Sequence, residues 1–348
     1  MKILSMTGLC SEKIMYICIQ ICKKMDALQE IKKPIEAEMA EYRRVFELCM
    51  TSDNALLQEV LTLVSSRMGK MMRPILTLLS AKLFGEVNER SQTTAVALEL
   101  LHTATLIHDD VVDESDERRG QASVNKLYDN KIAVLVGDFI LALSLQNVAK
   151  VRNPRLMEIV ALTSQRLSSG ELLQLKSVHN QEISEQVYFR IISEKTAALF
   201  SACAKAGAMS VTDDEMAIKQ LAEFGEMVGI CFQIRDDIFD YSSDRSIGKP
   251  TGNDMKEGKL TLPVIYALKS TGNQEMYRIA ESVKNFTVAD ADVARLVAFT
   301  KENGGIDYAR KVMHEYSDKA KSLLSVFPDS PTRTALMQYV DFVSDRSV

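Results

Sequence analysis

The 348 residues predict an all-α fold built as a single domain, and three observations carry that reading. Proline is absent between Pro74 and Pro154 and again between Pro154 and Pro250, as long uninterrupted helices require. The stretch "TTAVALELLHTATLIHDD" is apolar at Val96, Leu100, Leu101, Ala104 and Ile107, a 3.6-residue period. No β-branched run alternates convincingly, and no Gly-rich turn follows one. Ten or more helices around one core are expected, and 46% apolar residues supply the material for it.

Taken in order, residues 1–24 are expected to form an N-terminal extension outside the catalytic domain, which spans 25–348. Within the extension "IMYICIQIC" is mostly apolar but has only nine residues, too few for a membrane helix. It has no basic lead beyond Lys2 and no small-residue cleavage site after it. No transmembrane segment is expected. Met25 opens "MDALQEIKKPIEAEMAEYRRVF", which reads as an amphipathic helix and as the expected start of translation. Further helices cover the period around Leu100 and the run from Asp214 to Ile238. Loops are expected at Phe84–Asn88, Glu114–Ala122, Arg152–Pro154, Ser242–Gly258 and Ser325–Thr332.

The net charge of −5 speaks against a nucleic-acid partner, because such proteins usually carry a basic face. It also requires that an anionic substrate be met by local cations or by metal. The cysteines Cys10, Cys18, Cys22, Cys49, Cys203 and Cys231 form no CxxC pair, so reduced thiols of a cytoplasmic protein are expected.

"HDDVVDESDERRG", residues 108–120, crowds six acids into nine positions before Arg118 and Arg119 reverse the sign. Asp109 and Asp113, four apart, share one helix face. Unaided, that pairing costs stability. With Mg²⁺ it becomes an oxygen clamp, since this hard cation takes one or two carboxylates and fills its shell with water and phosphate oxygens. A solvated acidic helix end is the bland alternative for one such motif. A second DDxxD at Asp236, Asp237 and Asp240 makes chance a poor account of the pair. Lys70 and Arg73 in "MGKMMRP", Lys195 in "SEKTAALF", Arg118, Arg119, and Lys249 and Lys259 in "GKPTGNDMKEGKLTLP" add cations suited to phosphate. His102 lies two turns before Asp109 on the same face.

These motifs resemble the trans-isoprenyl diphosphate (polyprenyl) synthases: DDxxD with a trailing RRG, GKxxRP at Gly69–Pro74, KTA at Lys195–Ala197, the second DDxxD, and the lysine-rich stretch after it. The resemblance runs from about residue 30 to the C-terminus. It implies an isoprenoid-synthase-type domain with a central cavity, usually a homodimer, that joins isopentenyl diphosphate to an allylic diphosphate such as farnesyl diphosphate. By the family pattern Asp109, Asp113 and Asp236, supported by Asp240, bind about three Mg²⁺. Arg118, Lys195 and Lys249 hold the allylic diphosphate. Lys70, Arg73, His102 and Arg119 hold isopentenyl diphosphate, and Thr196 and Gln233 aim oxygen dipoles at the carbocation. Met68 and Met71 depart from the common glycine and arginine.

Residues four, five, eight and eleven before Asp109 lie on or near its face: Thr105, Ala104, Leu101 and Leu98. They span roughly 16 Å of helix. Short-chain family members place aromatics near the first two; here both are small. A long all-trans product is therefore expected, suited to the side chain of a respiratory quinone, with peripheral membrane contact on release. The alternatives are a short-chain farnesyl or geranylgeranyl synthase, a non-catalytic subunit of a heteromeric synthase, and a terpene cyclase, which needs no second diphosphate site.

Overall fold

Helix starts are set by short polar side chains. Asn88 caps α5 (Glu89–Val112) by accepting from Ser91 N at 3.1 Å, and Ser91 Oγ accepts from Asn88 N at 3.4 Å. Asp214 caps α11 (Glu215–Phe239) by accepting from the amides of Met216 and Ala217. These two long helices each end in an acidic motif.

The computed structural model describes residues 27–118, 120–179, 183–242 and 251–344. The extension 1–24, the start at Met25, Arg119 and Lys249 fall outside the described residues. The amphipathic helix expected from Met25 is in two pieces, α1 (27–32) and α2 (Glu36–Cys49). A 3₁₀ turn at Lys33–Ile35 separates them, because Pro34 lacks the N–H that a continuous helix needs. Then come α3 (Ala55–Ser66), α4 (Met72–Lys82), α5, a two-stranded ribbon of β1 (Glu117–Arg118) and β2 (Gln121–Ala122), α6 (Val124–Tyr128), α7 (Asn130–Lys150) and α8 (Pro154–His179). The ribbon corrects the loop expected at Glu114–Ala122.

α9 (Glu185–Ile192) runs through a π-helical turn, Ser193–Ala197, into α10 (Ala198–Met209), and α11 packs along it. The short α12 (Asn253–Lys256) lies inside the loop expected at Ser242–Gly258. α13 (Leu262–Thr271), α14 (Gln274–Lys284), α15 (Asp290–Glu302), α16 (Gly305–Leu324) and α17 (Pro331–Ser344) complete the chain. The all-α expectation holds.

The main core fills the space between α4, α5, α10 and α11 with Leu78, Leu98, Leu101, Phe200, Phe224 and Val228. A second cluster, including Tyr241, Met255, Val264 and Leu268, supports the chain that follows α11. α7 is long and apolar enough to cross a membrane by length and composition. Its buried positions, among them Ala133, Val136 and Ile140, lie against α5, as in the core helix of a globular protein.

Candidate active site

The last turn of α5 sends its acids to different sides. Asp109 stands at the cleft, mostly buried, and Asp113 caps the helix C-terminus. Burial pushes the Asp109 carboxyl up to about 6; Lys195 pulls it down, while Glu171 and Asp113 raise it further. Asp110 turns inward, 3% exposed, and accepts from Arg118 Nε at 2.7 and 2.9 Å. Arg118 Nη2 adds a contact of 2.7 Å.

Arg118, expected at the allylic diphosphate, is paired with a carboxylate beside the cleft. Its guanidinium is committed to Asp110 in a fork–fork pair, which ties the β1–β2 ribbon to α5. Gly120, at φ 74°, lets the chain reverse between the strands.

The second motif closes α11. Asp236 is exposed, whereas Asp237 is 3% exposed and anchors a chain of hydrogen bonds. Tyr188 Oη donates to Asp237 Oδ2 at 2.5 Å, Gln233 Nε2 donates to Asp237 Oδ1 at 2.9 Å, and Thr196 Oγ1 donates to Gln233 Oε1 at 2.8 Å. Burial raises the Asp237 carboxyl well above its ordinary range, and Asp254 reinforces the rise. Thr196 and Gln233 are thus brought together, with Asp237 fixing which end of the amide faces Thr196.

Asp240 is tied to the segment after the second motif. Its Oδ1 accepts from Asn253 N at 2.8 Å and its Oδ2 from Asp254 N at 3.3 Å, so the carboxylate caps α12. Each oxygen keeps a lone pair beyond these bonds, so the contacts orient the carboxylate and are compatible with the expected metal-supporting role.

The first motif meets the segment that follows the second. Lys259 Nζ, on the segment after the second motif, lies 4.0 Å from Asp113 Oδ2 on the first. Burial alone would lower the Lys259 pKa, but Glu257 and Asp113 outweigh it and hold the ammonium charged. Lys195, Thr196, Gln233, Asp237, Asp254 and Lys259 line a common pocket. Gly229 allows α11 this close to the π-helical turn: a Cβ there would meet Ala197 Cα at 2.5 Å.

The other cations collect around the start of α4, some two turns along α5 from Asp109. Arg73 Nη1 donates to His102 Nε2 at 2.9 Å, and since guanidinium only donates, that ring nitrogen accepts. Arg73 also lies over the Phe200 ring, 4.7 Å from its centroid, and Lys70 Nζ is 5.6 Å from the Phe342 centroid. Met71 between them holds a left-handed φ of 55°. Such strain costs roughly 1–3 kcal/mol and turns the Lys70 backbone sharply into α4.

The expected chain-length residues differ in burial. Thr105 is half-buried, whereas Ala104, Leu101 and Leu98 are 1%, 0% and 0% exposed and packed in the core. Leu98 lies only about 20° around the helix from Asp109, and Leu101 about 80°, so packing and not helical direction sets them apart from Thr105.

Among the described residues no three carboxylate, imidazole or thiolate groups converge to enclose a metal by themselves. The donor set still fits Mg²⁺. Asp109, Asp113 and Asp236 are hard oxygen donors of the kind this cation takes. Sequence reasoning missed Glu171, Tyr188, Asp237 as an anchor, and Asp254. A lone Glu in "SSGELLQL" or a Tyr on α9 carries no local signal of what it meets.

Residues 54–299 match the polyprenyl synthetase family model. The chain is 34% identical over 328 residues to an octaprenyl diphosphate synthase of Haemophilus influenzae, covering 93% of this chain and 99% of that one. Among solved structures it resembles a geranylgeranyl pyrophosphate synthase from Bacteroides thetaiotaomicron, with 46% identity, TM-score 0.82 and coverage of 92% and 100%. It also resembles a Caulobacter crescentus polyprenyl synthase complexed with calcium and isoprenyl diphosphate, with 35% identity, TM-score 0.86 and coverage of 92% and 98%.

Proposed function

This chain belongs to the polyprenyl synthetase family, and from that premise we propose that it extends an allylic diphosphate, farnesyl diphosphate in our reading, with isopentenyl diphosphate. The product is a long-chain all-trans polyprenyl diphosphate. The observation that carries the reading is the 4.0 Å approach of Lys259 to Asp113, which brings the segment after the second acidic motif against the end of the first.

Asp109, Asp113 and Asp236 would hold Mg²⁺, which would supply the positive charge that lets the allylic diphosphate act as a leaving group. Lys195 and Lys249 bind that diphosphate, and Arg118 keeps the ribbon beside it in place through Asp110. Lys70, Arg73, His102 and Arg119 hold isopentenyl diphosphate with its double bond near C1 of the allylic chain; as the C1–O bond to diphosphate breaks, the terminal alkene carbon bonds to C1 and leaves a cation on the joined chain. Thr196 gives its only proton to Gln233, so its oxygen lone pairs remain to face the developing cation. The released diphosphate then takes the proton lost by the new allylic chain.

Small Ala104 and Thr105 beneath Asp109 and the octaprenyl relative support long chains. A second reading, a geranylgeranyl-length product, is favoured by the sealed packing of Leu98 and Leu101 and by the likeness to the Bacteroides protein. In the first reading the growing chain displaces those leucines; in the second they are the floor. We further propose a homodimer through α7 and the adjoining α8, which expose Leu135, Leu145, Leu162 and Leu172. Purified protein given farnesyl and isopentenyl diphosphates tests the function, since a cyclase consumes the first without the second. Products ending at twenty carbons would select the short-chain reading.

A further inference from the structure

Lys195 does not face the cleft without a partner. Its ammonium is ion-paired with Glu171 of α8, and the two side chains are only 23% and 14% exposed. Gly170 builds this contact: a Cβ there would lie 2.7 Å from Lys195 N and 2.9 Å from Glu194 Cβ, so α8 presses directly on the π-helical turn. Gln174 Nε2 donates to Glu171 Oε1 at 3.1 Å, which orients the carboxylate and leaves Oε2 for the lysine. Asp109 feels both members of the pair in opposite senses, so the three charges share one corner of the cleft. An anion entering that corner meets a lysine whose charge is already matched.

We propose that Glu171 is a positioning residue that competes with diphosphate for Lys195. It holds the ammonium between turnovers, yields it as the allylic diphosphate enters, and takes it back as inorganic diphosphate leaves. The inference rests on the reading above, in which Lys195 binds the allylic diphosphate. A lysine without a resident counter-ion in so buried a place would give its full attraction to the diphosphate. That attraction is spent equally on substrate and product, so it tightens binding and slows release without speeding the chemistry. The fixed carboxylate offsets it.

The test is the affinity for inorganic diphosphate with Mg²⁺, measured by calorimetry and as product inhibition. Glu171→Gln, which keeps an acceptor for Gln174, is expected to tighten binding at least fivefold and to lower the KM for the allylic substrate. Glu171→Asp keeps the charge but withdraws it by one methylene, and is expected to fall between the two. In a Lys195→Ala background, Glu171→Gln should change affinity by less than twofold. Unchanged or weaker diphosphate binding in Glu171→Gln would overturn the proposal. Equal tightening without Lys195 would overturn it too, since the field of a lost charge would then suffice. Wild-type protein that binds no magnesium diphosphate would remove the functional reading, and this inference with it.

Discussion

Lys259 Nζ stands 4.0 Å from Asp113 Oδ2, although 146 residues separate them. The contact joins the end of α5 to the segment after α11. Lys259 also pairs with Glu257 at 2.7 Å, so one ammonium offsets carboxylates on both segments.

The first expectation concerns the acidic motifs themselves. Asp109→Ala and Asp236→Ala should each lower kcat by about 10³-fold or more with the circular dichroism spectrum unchanged, because each removes charge stabilisation used in the transition state. Turnover within tenfold of wild type in either variant would contradict the metal assignment.

The same acid should have the opposite effect on stability. A carboxyl raised from 3.8 to about 6 on folding binds more protons when folded, so stability falls as pH rises through that window and stays lost above it. Asp109→Asn should therefore raise the melting temperature of metal-free protein at pH 8, by no more than about 3 kcal/mol in free energy. The gain should vanish below about pH 4. A lower melting temperature at pH 8 would mean that the carboxylate is favourably paired.

Substrate division is tested at Lys70. Lys70→Ala should raise the KM for isopentenyl diphosphate about tenfold and that for the allylic diphosphate far less, since one subsite loses a cation. Equal effects would break the assignment.

The Thr196–Gln233–Asp237–Tyr188 chain should act mainly on kcat. Tyr188→Phe removes one donor to Asp237, a buried hydrogen bond to a carboxylate that is typically worth about 1.5–3 kcal/mol. A kcat loss of roughly tenfold with both KM values nearly constant is expected, in single-turnover as well as steady-state kinetics. A pure KM effect would place the chain in binding instead.

Much of this site was legible in the sequence. The 3.6-residue periods of α5 and α11 fixed where Asp109 and Asp236 sit, and helical spacing put His102 on the Asp109 side. What escaped was partnership. Asp110 and Asp109 are neighbours of the same type, yet one is clasped by Arg118 and the other faces Lys195. That choice depends on a ribbon whose register local propensity does not specify. Glu171 meets Lys195 only because Gly170 lets two distant segments touch. The product path escaped local reading for a related reason: Leu98 stays on the Asp109 stripe, yet it and Leu101 are fully buried, and how far such side chains yield to a growing chain is a matter of packing, not of spacing.

The most direct measurement is the product formed when purified protein is incubated with farnesyl diphosphate, isopentenyl diphosphate and Mg²⁺, separated by chain length. The expected result is an all-trans chain beyond twenty carbons that forms only when isopentenyl diphosphate and the divalent ion are both present, and that Ala104→Phe shortens to fifteen or twenty. No isopentenyl-dependent elongation by the isolated chain, under conditions where it is folded, would contradict the account.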